Sequence, residues 1–90
     1  MTHTAKHTPG PWYAANMGND FQGLVVEEPT GKNIAVVYDK RDVHILAAAP
    51  AMYEALQEAL KCIEKHVPKT EFAPRQWIRE VLAQAEGRQA

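Results

Sequence analysis

Two proline-containing runs limit how this 90-residue chain can fold. Pro9-Gly10-Pro11 forbids a helix near the start, because each proline fixes φ and lacks a backbone N–H. Pro50 follows three alanines in a helix-forming stretch, and it fits a helix only in the first turn, where its N–H is not needed. The sequence therefore predicts an extended segment after residue 9, a bend near Ala49 and a longer helix that begins there.

Turn signals divide the residues between these two runs into three short strands. Segments rich in β-branched and aromatic residues predict strands over 12–17, 21–28 and 33–38. Gly18-Asn19-Asp20 and Pro29-Thr30-Gly31-Lys32 supply the turns, and such short connections imply an antiparallel meander. Gly23, inside the second strand, indicates a bulge or a close backbone approach.

The second half of the chain has helical periodicity. Helices are predicted over about 41–48, 50–66 and 74–86, with Asp39 or Asp42 as the first N-cap. The apolar stripe of the second helix is Met52, Leu56, Ala59, Leu60, Ile63 and Val67, and that of the last helix is Trp77, Ile78, Val81, Leu82 and Ala85. Trp12 and Trp77 are the expected aromatic anchors of the core.

Strands followed by helices predict an α+β fold with two layers. We expect a three-stranded antiparallel β-meander, followed by a bent helix and a C-terminal helix packed on one face of the sheet. Residues 1–8 are predicted to form a flexible tail and residues 9–90 a single domain.

Composition indicates an ordinary globular protein of the cytoplasm. Hydrophobic residues make up 46% of the chain and charged residues 23%. No apolar run approaches the ~20 residues that span a bilayer, and the polar start lacks the apolar segment of a signal peptide. The net charge of -1 argues against general nucleic-acid binding, whose affinity comes mainly from neutralising phosphates.

The predicted sheet carries more apolar surface than the helices can cover. Both faces of the second and third strands are apolar, and the helices can cover only one of them. The uncovered face would expose either Val25, Ala35 and Val37 or the apolar residues of the opposite face. Three strands also leave two open edges. A homodimer or a protein partner follows, unless the N-terminal tail or a side-chain stem covers this face.

No catalytic constellation is present in the sequence, and we predict neither an enzyme nor a cofactor. Cys62 and His66 lie four residues apart on one helix and could form half of a metal site, but the other ligands would have to come from elsewhere. We favour Cys62 as a core or boundary residue and His66 as a cation at the helix end. Lys40-Arg41, at the junction of sheet and helix, could hold a phosphate or an acidic loop; a solvated surface pair is the alternative.

Two stretches also resemble a known family. The run His7-Thr8-Pro9-Gly10-Pro11-Trp12 and the run from Asp42 to Leu56, which contains Ile45-Leu46-Ala47-Ala48-Ala49-Pro50, are similar to segments of small uncharacterised phage and prophage proteins. His44 stands where that family often has Arg, and Met52-Tyr53 where it often has Leu-Leu. The resemblance implies a phage-encoded accessory protein, and such proteins often bind and block a host protein, including defence systems such as CRISPR effectors.

We therefore predict a non-enzymatic phage protein that binds a macromolecular partner and inhibits a host defence. The alternative is an oligomeric sponge for a small anionic nucleotide, for which Lys32, Lys40 and Arg41 are the only clustered basic residues. The predicted partner-binding residues are Val25, Ala35, Val37, Lys32, Lys40 and Arg41. On this prediction, Val25→Glu with Val37→Glu weakens binding and leaves the circular dichroism spectrum intact.

Overall fold

A computed structural model describes residues 7–28 and 30–88. In chain order its elements are β1 (Trp12–Asn16), β2 (Gly23–Glu27), β3 (Asn33–Val37), a 3-10 helix (Lys40–Asp42), α1 (Val43–Ala47), α2 (Ala49–His66) and α3 (Arg75–Ala85). The sheet has the order β1-β2-β3, and both pairings are antiparallel. The predicted α+β class, with an antiparallel meander followed by helices, is confirmed. Residues 1–6 of the predicted tail, and Pro29 of the second predicted turn, lie outside the described residues.

The chain forms two compact units. The first, which we call the sheet unit, comprises residues 7–52 and contains the sheet, the 3-10 helix, α1 and the start of α2. The second, which we call the helical unit, comprises residues 53–88 of the described chain and contains the rest of α2 together with α3. Within the part of the chain described, no helix is long and apolar enough to cross a bilayer.

The core of the sheet unit lies between α1 and one face of the sheet. Val25 and Val37 are buried there together with Val43 of α1, and Val25 is only 1% exposed. The expectation that Val25 and Val37 lie on an exposed face is therefore wrong. The 3-10 helix follows β3 after two residues, and α1 then packs on the face that carries these two valines. Ala35 is exposed.

The two proline-containing runs meet within the sheet unit. A Cβ built on Gly10 would lie 2.8 Å from the Cβ of Pro50, so glycine allows the first run to pass close to the second. Pro50 is buried and is the second residue of α2, a position that does not need its N–H. Trp12 and Ala47, which belong to the same two segments, both pack against the valine core.

Gly23 makes a second close approach, and the expectation from the sequence is confirmed. A Cβ at this position would lie 2.9 Å from Cγ2 and 3.0 Å from Cβ of Val43. Real Cβ atoms essentially never come within 3.0 Å of such neighbours. The absence of a side chain at Gly23 therefore allows α1 to lie directly on β2.

We expect Gly23→Ala to lower the free energy of unfolding by about 1–3 kcal/mol, because the added methyl overpacks a rigid β-branched neighbour. In a Val43→Ala background the two Cγ atoms are gone and only the Cβ contact at 3.0 Å remains, so the same substitution should cost less. Urea unfolding of the four chains of this double-mutant cycle measures the coupling. Equal costs in both backgrounds would contradict the close approach.

The helical unit has its own core, formed by α2 and α3. Tyr53, Ile78 and Leu82 are buried, and Leu56, Leu60 and Ile63 pack against them. The predicted stripes are right for Leu56, Leu60, Ile63, Ile78 and Leu82. They are wrong for Met52, which is 43% exposed, for Trp77, which is 70% exposed, and for Ala59 and Ala85, which are also exposed. Successive helical residues are about 100° apart, so Trp77 lies well to one side of its buried neighbour Ile78.

A hydrogen bond joins α2 to the end of α3. The Tyr53 hydroxyl donates to Oε2 of Glu86, whose other carboxylate oxygen pairs with Arg88. Burial of the phenol, helped by this hydrogen bond, raises the pKa of Tyr53 to about 12. Gly87 has a φ of 78°, which suits a residue that follows a helix end, and the Arg88 N–H donates to the Ala83 carbonyl at 2.9 Å.

Candidate binding surfaces

A concavity of about 510 Å³ lies in the sheet unit, where β1 ends and β2 begins. Its lining residues come from the sheet, the 16–22 turn, the 3-10 helix and α1: Ala14, Ala15, Asn16, Asn19, Asp20, Gln22, Gly23, Lys40, Arg41, Val43 and His44. Small side chains dominate where the sheet contributes, which leaves room for the concavity. Amide and charged groups from the turn and the helices provide its polar character.

Hydrogen bonds fix the shape of the turn beside this concavity. Oδ1 of Asn19 accepts from the backbone N–H groups of Phe21 and Gln22, each at 2.8 Å. The Phe21 carbonyl in turn accepts from the Lys40 N–H at 2.9 Å. The turn and the 3-10 helix are therefore tied together, and Lys40 is held next to the amide groups of the turn.

Arg41 is not a free cation in this concavity, because Asp39 pairs with it. Its Nε lies 3.0 Å from Oδ1 and its Nη2 2.6 Å from Oδ2 of Asp39. Oδ1 also accepts from the Arg41 N–H at 2.9 Å, so Asp39 caps the 3-10 helix. The hydrogen bonds from Arg41 lower the pKa of Asp39 to about 2. The Asp39 carboxylate therefore offsets part of the positive charge that Arg41 would offer an anion, although the Arg41 side chain stays exposed.

Of the three basic residues predicted to form one cluster, Lys32 is separated from Lys40 and Arg41, which both line the concavity. Lys32 precedes β3 and Lys40 follows it, and a five-residue strand spans about 17 Å. Lys40 forms no ion pair with any residue in the described ranges. The concavity also contains His44, which sequence reasoning did not place there. The sequence does indicate this position, because His44 follows Arg41 by three residues and Lys40 by four. This is the spacing of side chains on one face of a helix.

The sheet face opposite α1 carries exposed apolar side chains. Register places Tyr13 opposite Val26, and Leu24 opposite Val36, on this side of the sheet. Val36 is 51% exposed and Tyr13 is also exposed, whereas Leu24 is half-buried and Val26 is only 4% exposed, so this face is open only in part. Tyr38, the residue that follows β3, is exposed as well. We call Tyr13, Val36 and Tyr38 the open sheet face.

Most aromatic side chains of this chain are exposed. Five of the seven aromatic residues are more than a third exposed: Tyr13, Phe21, Tyr38, Phe72 and Trp77. Phe72, in the connection between α2 and α3, is 95% exposed. Aromatic side chains contribute most to a small core when they are buried, so their exposure calls for an explanation outside the stability of the monomer.

The comparison with protein families identifies the origin of the chain. A family model described as Salmonella phage P22 protein Y8K6 matches residues 1–89. The chain belongs to this family. The expected relationship to a phage protein family is thus confirmed over nearly the whole sequence. Neither a curated protein nor a solved structure matches the chain.

The helical unit of this phage protein has a further concavity of about 580 Å³, lined by Glu64, Lys69, Arg75 and Arg79. Nη2 of Arg75 donates to the Val67 carbonyl at 2.6 Å, near the C-terminal end of α2. Arg79 pairs with Glu64 at 2.5 Å. Both arginines therefore serve the structure of the helical unit, and Lys69 is the cation left to meet a ligand.

Cys62 is exposed on α2, so its expected place in the core or at its boundary is wrong. His66, in the last turn of α2, is exposed as well. Across the described ranges, no three His, Cys, Asp or Glu side chains come together as a group that could hold a metal ion.

Proposed function

We propose that this phage protein acts by binding another protein and carries out no catalysis of its own. The observation that carries this proposal is the exposure of five of its seven aromatic residues. Trp and Tyr are enriched among the residues that contribute most to binding energy in protein interfaces. A contact that removes some of these side chains from water would supply hydrophobic stabilisation that they do not give to the monomer.

The open sheet face is the surface that we propose for this contact. It presents Tyr13, Val36 and Tyr38 on a rigid sheet, with Lys32 and Lys40 at opposite ends of β3. An apolar strip flanked by acidic groups on the partner would complement this arrangement. In this proposal Tyr13, Val36 and Tyr38 take the place of the buried Val25 and Val37 as binding residues. The exposed Lys32 and Lys40 remain among them.

The partner class that we propose is a host protein in the bacterial cytoplasm, as part of a defence system that the phage must inhibit. The phage family supports this proposal, because an accessory protein encoded by a phage acts in the infected cell. Inhibition by binding needs no catalytic group, only a surface that competes for a functional site on the host protein.

Capture from host lysate with two matched variants tests the proposal. Val36→Glu places a charge on the open sheet face, whereas Ile45→Glu makes the same kind of change at another exposed position, on α1. We expect the unmodified chain and Ile45→Glu to retain one host protein in stoichiometric amount, and Val36→Glu to bind it at least about tenfold more weakly, as a buried unpaired charge requires. Circular dichroism shows whether both variants are folded. Equal binding by a folded Val36→Glu variant would exclude this surface.

A second candidate function is the binding of a small anionic nucleotide in the concavity of the sheet unit. Lys40 and His44, which both line it, favour this candidate. The engagement of Arg41 by Asp39 and the presence of Asp20 weaken it. Thermal shift with a panel of nucleotides distinguishes the two functions, since a nucleotide site predicts a shift that Lys40→Glu abolishes and Lys32→Glu does not. No shift with any nucleotide would reject this candidate.

A further inference from the structure

The outer edge of β1 has backbone groups that the sheet does not use. The Glu28 N–H donates to the Pro11 carbonyl at 3.0 Å, which makes this a hydrogen-bonded pair of the antiparallel ladder. Such pairs alternate with pairs that form no hydrogen bonds. From the register, the backbone N–H and C=O groups of Tyr13 and Ala15 point towards β2. The backbone groups of the alternate residues of β1 point away from the sheet. The outward set is Trp12, Ala14 and Asn16.

The two edges of the sheet differ in how they are protected. Between Val25 and Val26 the pairing with β3 shifts by one residue, which leaves Ile34 as an extra residue in a bulge on the β3 edge. Bulges, charges and prolines are the usual means by which proteins prevent strands from pairing at an edge. β1 pairs with β2 over five residues without a shift, and no charged residue occurs from residue 8 to residue 19. Pro9 and Pro11 precede the strand but remove no N–H from Trp12, Ala14 or Asn16, so among the described residues β1 is the less protected edge.

The sequence of β1 also complements itself when two copies run antiparallel. With Ala14 at the centre, Trp12 of one copy faces Asn16 of the other, and Tyr13 faces Ala15. Each bulky aromatic residue thus meets a smaller one, and the smallest pair lies where the two strands cross the axis. Because the segment is uncharged, two identical copies meet there without like-charge repulsion.

We propose that β1 pairs with β1 of a second copy of this chain about a two-fold axis at Ala14, which forms a six-stranded antiparallel sheet across the dimer. The outward groups of the two strands then form about six backbone hydrogen bonds. The exposed Tyr13 and Val36 side chains of both copies then lie on the same side of the extended sheet. This inference rests on the edge of the sheet and is independent of which protein the open sheet face binds.

Single cysteines placed at the two edges test the register. In a Cys62→Ser background, Ala14→Cys puts two thiols opposite each other across the proposed axis, in a pair whose Cα atoms are about 5.5 Å apart and within disulfide range. Val36→Cys, on the bulged edge, is the matched control. Under mild oxidation we expect most of the Ala14→Cys chain, and little of the Val36→Cys chain, to form a disulfide-linked dimer. Equal cross-linking of the two variants would overturn the proposal.

Proline substitutions at the same two positions test the pairing without a cross-link. The Ala14 N–H points away from β2, so Ala14→Pro removes a group that the monomer does not use. The N–H of Val36 also points away from β2, since Leu24, its opposite residue, directs its backbone groups to Ala15 of β1.

Sedimentation equilibrium should show a dimer for the unmodified chain and for Val36→Pro, and at least tenfold weaker dimerisation for Ala14→Pro. Circular dichroism verifies folding, and if Ala14→Pro does not fold, the cysteine pair decides. A monomeric unmodified chain would overturn the proposal. The proposal would also be overturned if the unmodified chain is a monomer and Ala14→Pro loses binding to a different protein. The β1 edge would then pair with a strand of that protein instead of a second copy.

Discussion

Val25→Glu should unfold the sheet unit. Val25 is 1% exposed and lies in the centre of the valine core, so the new carboxylate would have neither water nor a cation beside it. Burying an unpaired charge costs more than about 3–5 kcal/mol, a large part of the 5–15 kcal/mol that stabilises a typical domain. The far-ultraviolet circular dichroism of the sheet and the cooperative urea transition should both be lost or strongly weakened.

Val36→Glu is the matched control, because it makes the same change on the opposite face of the neighbouring strand. Val36 is 51% exposed, so its carboxylate stays hydrated and the free energy of unfolding should fall by less than about 1 kcal/mol. A Val25→Glu chain that unfolds at the same urea concentration as the unmodified protein would contradict the position of α1 on this face.

This contrast shows where sequence reasoning about the sheet stops. The order of strands and helices follows from turn residues and periodicity, and the structure agrees with it. The sequence does not predict which face of the sheet α1 covers. Leu24, Val25 and Val26 are all apolar, so β2 has no alternation of apolar and polar residues that would identify its buried face. The fit between Gly23 and Val43 decides it, since only a face without a side chain at position 23 admits the helix so closely. That contact joins residues twenty positions apart, which no local pattern reveals.

The candidate site illustrates a similar limit. The pair Lys40-Arg41 was visible in the sequence, but its charge is reduced by Asp39, whose side chain reaches Arg41 only in the bend that leads to the 3-10 helix. Lys32 was grouped with them because all three lie near β3 in the sequence. A strand is extended, however, so residues at its two ends are far apart even when few residues separate them.

Replacement of Tyr53 should have the largest effect in the helical unit. Tyr53 is buried against Ile78 and Leu82, so Tyr53→Ala should lower the free energy of unfolding by about 3–5 kcal/mol, as for other buried aromatic residues. Met52→Ala is the matched control, because its side chain is 43% exposed and should cost less than about 1 kcal/mol. The sequence favours Met52 for this stripe, although residues 52 and 53 both fit a helical stripe that continues through Leu56. Equal losses of unfolding free energy for the two variants would contradict the burial of Tyr53 and the exposure of Met52.

Tyr53→Phe separates the packing of the ring from the hydrogen bond to Glu86. The ring keeps its contacts, so the loss should be about 1.5–3 kcal/mol, the range for a hydrogen bond to a charged acceptor. The folded-state pKa of Tyr53, about 12, lies above the ordinary tyrosine value of 10.0. The unfolded state therefore releases this proton first, and the stability present below pH 10 is lost as the pH rises towards 12. Urea unfolding between pH 9 and 12 should show this loss in the unmodified chain and less of it in Tyr53→Phe. If both chains lose stability equally over that range, the hydrogen bond does not hold the proton on Tyr53.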